Sequence, residues 1–449
     1  MAYKELVNKL FKKGKEKLED MEVYVERSKN INIGVFNGEI DKYSIAESGG
    51  LSLRGISNGK MGYSYTEKID ESSIEMLIDE AYENGKYIDS LDPEKILAGS
   101  VDYEEIDGFS KALEDYPIEK KIEFTKFLEK EALSLDKRIT SVQMCIYQEF
   151  DMSKDIINTK GVNLSHRING AGAYISVIAR EGVDVKTGLG FKMFKNFADV
   201  DYKEIAKEAV DDAISSLGAK TIKSDDYPTV IDNYIFAGLL DAFSSIFSAE
   251  SVQKGLSLFK DKVGEKVGSE KLTIVDNPYL KDGFASISFD DEGTKTIKKN
   301  IIDQGVLTTY LHNWKTANKD GEKSTGNAKR SSYKSSIDIG ASNFYVEKGE
   351  KSFEDILSTI EDGVYITELA GLHSGLNPIS GDFSLPANGF KINNGKLDEP
   401  IHQIIVSGNF FQMLKDIEEI GNDLKVGGPM SMNFGSPSVK IKKLSISGE

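Results

Sequence analysis

Twice in its first 217 residues the chain runs through the same cycle of an amphipathic helical period, a set of short alternating runs and a second helical period. Residues 3–18 carry Leu6, Leu10 and Leu18 near the helical spacing. Met21, Val23 and Val25 then alternate with Glu22, Tyr24 and Glu26, as in a half-buried strand. Ile31, Ile33 and Val35 mark a second strand, closed by Asn37-Gly38, a pair favoured in tight hairpin turns. Runs at 50–56 and 61–65, joined by Ser57-Asn58-Gly59-Lys60, make a third and fourth. Residues 70–87 return to a helical period, with Asp70 or Ser72 as cap and Ile74, Leu77, Ile78 and Ala81 as the apolar stripe.

The second cycle opens at Pro117, a favoured residue at the start of a helix, and its helix runs to about Leu135. Strands are expected at 141–149, 152–159, 172–180 and 185–191, and a helix at 201–217. In each cycle a glycine-led strand (GGLSLRG, then GAGAYISVIAR) meets a glycine-bearing return strand and feeds a helix. This pattern predicts a degenerate internal duplication. Residues 88–116 between the cycles are acidic and aperiodic, as in a linker. Residues 219–228 form a polar boundary, followed by a single helix expected over 233–252.

Beyond that helix the pattern turns to strands, at 272–275, 284–289, 296–302, 306–311 and 337–346, with Asp303-Gln304-Gly305 as a hairpin turn. One more helix is expected at 353–361, opened by a capping box between Ser352 and Asp355. The fold class is therefore α+β and multidomain. Two related N-terminal α+β units, residues 1–100 and 101–220, precede a larger β-rich C-terminal domain, residues 221–449.

Charge removes several function classes. The 73 acids against 56 bases leave a net charge of −17, which repels a phosphate backbone, so nucleic acid is not an expected partner. No run approaches the length of a membrane span, and the basic N-terminus lacks the apolar core of a signal peptide. One cysteine, Cys145, allows no intrachain disulfide. A cytoplasmic location is the expectation.

Residues 371–390, GLHSGLNPISGDFSLPANGF, hold Gly371, Gly375, Gly381 and Gly389 beside His373, Ser374 and Asp382. Such glycine density with convergent polar groups reads as a shaped loop lining a groove. Arg54 and Arg330, also flanked by glycine-bearing motifs, are further groove candidates, since a guanidinium can hold a peptide carboxylate in bidentate fashion. The alternative for both arginines is an internal salt bridge. A nucleophile–base pair is not expected from Ser374, because adjacent residues rarely form one and no G-x-S-x-G elbow is present.

Taken with TGNAKR (residues 325–330), IIVSGNFF (404–411), GLSLRG (50–55) and VDNP (275–278), this stretch resembles the TldD/PmbA family, and in particular its PmbA/TldE branch. The family carries the label modulator of DNA gyrase. The resemblance spans essentially the whole chain. It implies a dimer enclosing a cavity, and a cytosolic proteolytic complex in which PmbA-type chains pair with TldD-type chains around unfolded peptides. The TldD branch is a set of metallopeptidases with His-Glu-x-x-x-His on a helix and a cysteine in a C-terminal glycine-rich segment. Two imidazoles and a thiolate hold zinc there, and the glutamate serves as base.

This sequence departs from that pattern at each ligand. The register set by SAESVQKGLSLFKDKVGEKV puts Leu240 and Ser245 at the histidine positions and Asp241 at the glutamate. VGGPMSMNFGS offers Ser431 or Ser436 in place of the cysteine. The four histidines, His166, His312, His373 and His402, have no local pairing. The resemblance thus implies a chain without catalytic residues, metal or cofactor of its own, inactive alone, with zinc expected in a TldD-like partner; the chain pairs with that partner or with itself. Two other readings stay open: a stand-alone peptide-binding protein, and an active peptidase with an unconventional metal site.

Overall fold

The computed structural model describes residues 2–88 and 93–449. α1 (Ala2–Gly14) leads into β1 (Asp20–Phe36). Asn37 and Gly38 take the left-handed backbone their turn needs, with φ of 54° and 77°. They fold β1 onto β2 (Glu39–Ser57), and Asn58-Gly59 folds β2 onto β3 (Lys60–Thr66). A short 3₁₀ turn capped by Asp70 then enters α2 (Ile74–Lys86). In the second unit a short α3 (Lys111–Glu114) precedes α4 (Ile118–Leu135), which starts on Pro117. β4 (Ile139–Asn158), β5 (Asn163–Glu181) and β6 (Asp184–Phe194) follow, then α5 (Tyr202–Ser215).

Each unit therefore holds three strands where four short ones were expected. The separate runs at 21–26 and 31–35 are one 17-residue strand, and 141–149 and 152–159 lie in one 20-residue strand. Nor does each unit build its own sheet. β1 and β4 pair antiparallel from Glu22–Asn158 to Gly34–Ile146, giving one six-stranded sheet in the order β3-β2-β1-β4-β5-β6. The two units are alike in order (helix, three-stranded meander, helix) and meet back to back at that central pair.

The return strands share a packing device. A Cβ at Gly62 of β3 would lie 1.6 Å from the Ala81 carbonyl oxygen of α2. One at Gly188 of β6 would lie 2.2 Å from the Ala209 carbonyl oxygen of α5. Both glycines let a helix backbone settle directly on a strand. Val23, Val25, Leu51 and Leu53 pack with Leu10, Leu77 and Ala81 on this helical face. On the opposite face Tyr24 and Ile156 pack with Phe289 and Tyr333 of the C-terminal domain.

The linker expected at 88–116 includes residues 89–92, which lie outside the described residues; residues 93–110 run without helix or strand. In the C-terminal domain β7 (Asp225–Ile231) pairs with Asp362–Leu369, and that strand with Asp382–Asn393 and then Lys396–Asn409. Val439–Ser447 bonds to both β7 and Lys396–Asn409, so these five strands close on themselves. A second sheet carries Ile274–Asp276, Lys299–Asp303, Val306–Leu307, Phe344–Val346, Phe434–Ser436 and Lys425–Val426. Gln304-Gly305 makes the expected hairpin, and Ser352 and Asp355 cap each other reciprocally at Phe353–Leu357.

Several expectations fail here: the strand expected at 306–311 stops at Leu307, and the helix expected at 353–361 stops at Leu357. Residues 284–289 form no strand, because the Ser286 hydroxyl donates to the Leu280 carbonyl and the Asn343 side chain accepts the Ala285 amide, which ties this segment into loops. The run 337–346 is two short strands, Asp338–Ile339 and Phe344–Val346, in different sheets. The helix over 233–252 breaks into α6 (Asn233–Ala242), a 3₁₀ turn at Ser244–Phe247 and α7 (Ala249–Gln253). Its apolar residues are buried on every side, so no amphipathic period marks where it stops.

Candidate functional site

The break in that helix decides the fate of the degenerate metal positions. Leu240, still in α6, is fully buried in the C-terminal core. Ser245, in the 3₁₀ turn, is exposed. The two positions are thus split between core and solvent. Asp241 and Ser431 do come near each other: burial raises the Asp241 pKa and Ser431 works against that, while the Ser431 hydroxyl donates to Asn433 Oδ1 at 3.4 Å. Zinc does not fit this set, which offers an aliphatic side chain, two neutral hydroxyls and a single acid. Among the described residues no three His, Cys, Asp or Glu side chains gather as a metal site.

His373, Ser374 and Asp382 are exposed, and none lines a described cavity. The second half of residues 371–390 lies in strand Asp382–Asn393 of the closed sheet. The first half is a turn in which the Ile379 amide donates to Asn377 at 2.9 Å, and Asn409 Nδ2, from the neighbouring strand, donates to the Ser380 carbonyl and to Asp382, each at 2.8 Å.

Arg54 and Arg330 are brought together, but on a carboxylate inside the protein. Arg54 Nε donates to Glu22 Oε1 at 3.0 Å, and Arg330 Nη2 to the same oxygen at 2.8 Å. All three residues are buried. Arg330 also stacks over the Tyr24 ring at 4.7 Å and donates to the Tyr63 hydroxyl at 2.9 Å. Burial works against the Arg54 charge, and Glu22 and Glu292 more than restore it. These arginines join β1 and β2 to the C-terminal domain with both guanidinium groups on Glu22, the internal salt bridge that stood as the alternative for them, and Arg330 also borders a cleft.

Above that bridge, between the sheet and the C-terminal domain, opens a cleft of about 270 Å³. Glu26 of β1, Lys154 of β4 and His166 of β5 line one wall; Phe284, Phe289, Lys329 and Asn433 line the other. The Asp290-Asp291-Glu292 run, buried in full, organises it. Asp290 accepts the Ala328 amide at 3.1 Å and Asp291 the Arg330 amide at 2.7 Å, which fixes the TGNAKR backbone. Asp291 also pairs with Lys154. Burial pushes the Asp290 carboxyl well up, with Glu292 beside it adding to the effect. Burial also holds His166 down to about 4, helped by Lys154 and Lys195, so its ring is neutral at pH 7. Sequence reasoning did not single out this acidic run. The available signal was three consecutive acids closing the apolar segment 284–289. A more open hollow of about 490 Å³ near His312 and Tyr310 takes in no predicted site residue.

Comparison with known proteins places this geometry among relatives. Family descriptions match in three successive parts: PmbA/TldA metallopeptidase domain 1 over residues 21–85, the central domain over 111–217 and the C-terminal domain over 224–448. An uncharacterized protein of Methanocaldococcus jannaschii is 30% identical over 97% of this chain and 98% of its own length. Metalloprotease PmbA of Escherichia coli O157:H7 is 26% identical over 96% of this chain and 93% of its own. Among solved structures, a Thermotoga maritima protein named as a modulator of a DNA gyrase superposes with a TM-score of 0.92 at 32% identity, covering 99% of this chain and all of that one. TldE from Thermococcus kodakarensis has the same fold, with a TM-score of 0.89 at 24% identity over 98% of this chain and 100% of its own.

Proposed function

The chain belongs to the PmbA/TldD metallopeptidase family, and from that premise we propose that it is a metal-free, PmbA/TldE-like subunit that shapes the peptide chamber of a cytoplasmic proteolytic complex. The observation that carries this reading is the state of the zinc positions. Leu240 lies in the core, Ser245 is exposed, and Ser431 brings a neutral hydroxyl, hydrogen-bonded to Asn433, to the side of Asp241. Water activation therefore falls to a TldD-like partner bearing the zinc, and the chemistry left to this chain is binding and exclusion. The cleft suits that task, since it combines aromatic walls with a few fixed polar groups. An extended peptide needs little more than such walls and main-chain hydrogen bonds to be held without strong sequence demand.

A partner also has a place to dock. β3 pairs with β2 over residues 51–57, so on that side residues 39–49 of β2 carry a free edge among the described residues. Ile40, Tyr43 and Ile45 there are 44–49% exposed. A long edge with exposed apolar side chains is a ready template for strand addition. Among the described residues no helix is long and apolar enough to cross a membrane. The test is to assay peptidase activity of the purified chain alone and mixed with a TldD-like chain from the same source. Activity arising in the mixture and absent from this chain alone supports the reading. Activity of this chain alone overturns it.

A further inference from the structure

Among the described residues Lys329 is a cation without a carboxylate of its own. It lines the cleft and is exposed within it, although protein surrounds it on the other sides. Its hydrogen bonding among the described residues is one long contact, 3.4 Å from Nζ to the Ala341 carbonyl oxygen. The acids within electrostatic range are Asp291, Asp276 and Asp241, and each has a partner elsewhere. Asp291 holds Lys154 and the Arg330 amide. Asp276 accepts from Lys299, Asn327 and Ser342, each at 2.6–2.8 Å. Asp241 has the Ser431 hydroxyl beside it. Glu26, across the cleft, accepts from the Tyr24 hydroxyl at 3.0 Å. Lys154 adds repulsion, and burial lowers the Lys329 pKa. An ammonium so placed is stabilised by an incoming anion.

We propose that Lys329 anchors the C-terminal carboxylate of a bound peptide in this cleft, with the last side chain seated against Phe284, Ile287, Phe289 and Met432. Three features select this occupant. Of the cations that line the cleft, Lys154 is paired with Asp291 and Arg330 with Glu22, which leaves Lys329 as the one point charge without a carboxylate among the described residues. Its wall also carries Glu26 and Asp291, which disfavour a doubly charged phosphate. Its volume of about 270 Å³ is below the usual range for whole ligands and suits the end of a chain. The inference rests on the peptide-chamber reading and adds which end of the peptide is held and by what.

The experiment uses the full chain at pH 7 and an N-terminally fluorescein-labelled Ala-Ala-Gly-Ala-Leu peptide, prepared as free acid and as C-terminal amide. Fluorescence anisotropy should show the acid binding about tenfold tighter than the amide, the scale of one charge-assisted hydrogen bond. Lys329→Met, which keeps the aliphatic stem, should erase the difference without moving the melting temperature, and Lys329→Arg should keep it. Equal binding of acid and amide by the wild-type chain overturns the anchor while leaving the chamber in place. Preference for the acid that survives in Lys329→Met also overturns it. Failure of both peptides to bind removes the chamber reading and the anchor with it.

Discussion

Glu22→Gln is the substitution that most directly probes how the cleft is held. The change keeps side-chain shape and removes one charge from beneath the cleft. Glu22 Oε1 receives both Arg54 and Arg330, and the side chains of Glu22 and Arg330 have no solvent exposure. Removing one member of a buried ion pair costs about 3–5 kcal/mol, because the charge left behind is neither solvated nor paired. Here two guanidinium groups are left, and Glu292, whose own carboxyl is raised by burial, compensates them in part. The expected loss is therefore about 3–5 kcal/mol. Arg330→Met leaves Glu22 with Arg54 and should cost less, about 2 kcal/mol. Made together, the two should fall short of additivity by about 1–3 kcal/mol, as coupled neighbours do. Urea unfolding followed by the fluorescence of Trp314, the sole tryptophan, and by far-ultraviolet circular dichroism supplies the numbers. Coincident curves are the condition for using them. A Glu22→Gln cost below about 1 kcal/mol, or strict additivity, would refute the account of the bridge.

Two further outcomes follow from the packing and the charges. Gly62→Ala should destabilise the first unit sharply, since its Cβ would meet the Ala81 carbonyl oxygen at 1.6 Å and neither backbone can yield cheaply; a melting temperature within error of wild type would contradict this. Asp212 on α5 has its carboxyl pushed up to about 6 by burial, against the Leu189 amide and with Glu368, Glu208 and Asp232 adding. A raised carboxyl favours the folded state when protonated, so its stability contribution is lost as pH rises from about 4 to about 6. Asp212→Asn should be more stable than wild type by roughly 3 kcal/mol at pH 7, with the gain gone below about pH 4. His166, lowered to about 4, acts with opposite sign over an overlapping window, so the difference between variant and wild type at each pH is the quantity to read.

How far the chain's sequence reveals this molecule depends on whether one face of each element meets a core. The turns at Asn37-Gly38 and Gln304-Gly305 are visible because their backbone conformation restricts the residue type. The middle of β1 is not, because Arg27, Ser28, Lys29 and Asn30 lie where the strand is largely solvated and alternation lapses. Residues 39–48 of β2 are exposed on both faces for the same reason. Strand Asp382–Asn393 hides behind Pro386 and Gly389; a Cβ at Gly389 would meet the Tyr365 carbonyl oxygen at 1.9 Å, so that glycine serves strand contact and not a loop. At the site, the chemistry of Arg54 and Arg330 is legible as a guanidinium in a tight place. Its partner is not, because Glu22 lies 308 positions from Arg330 along the chain. Lys329 sits inside a recognisable motif, but its isolation becomes apparent only when Asp241, Asp276 and Asp291 are seen to be paired elsewhere.

The metal content of the purified wild-type chain, measured by inductively coupled plasma mass spectrometry after purification without chelators, bears most directly on the central claim. Catalytic zinc usually takes three protein ligands, and the positions concerned here are Leu240, Ser245 and Ser431, with Asp241 beside the last. The account predicts zinc far below one per chain and no change in melting temperature on adding a chelator. One zinc held tightly by each chain, lost on chelation together with peptidase activity, would contradict it.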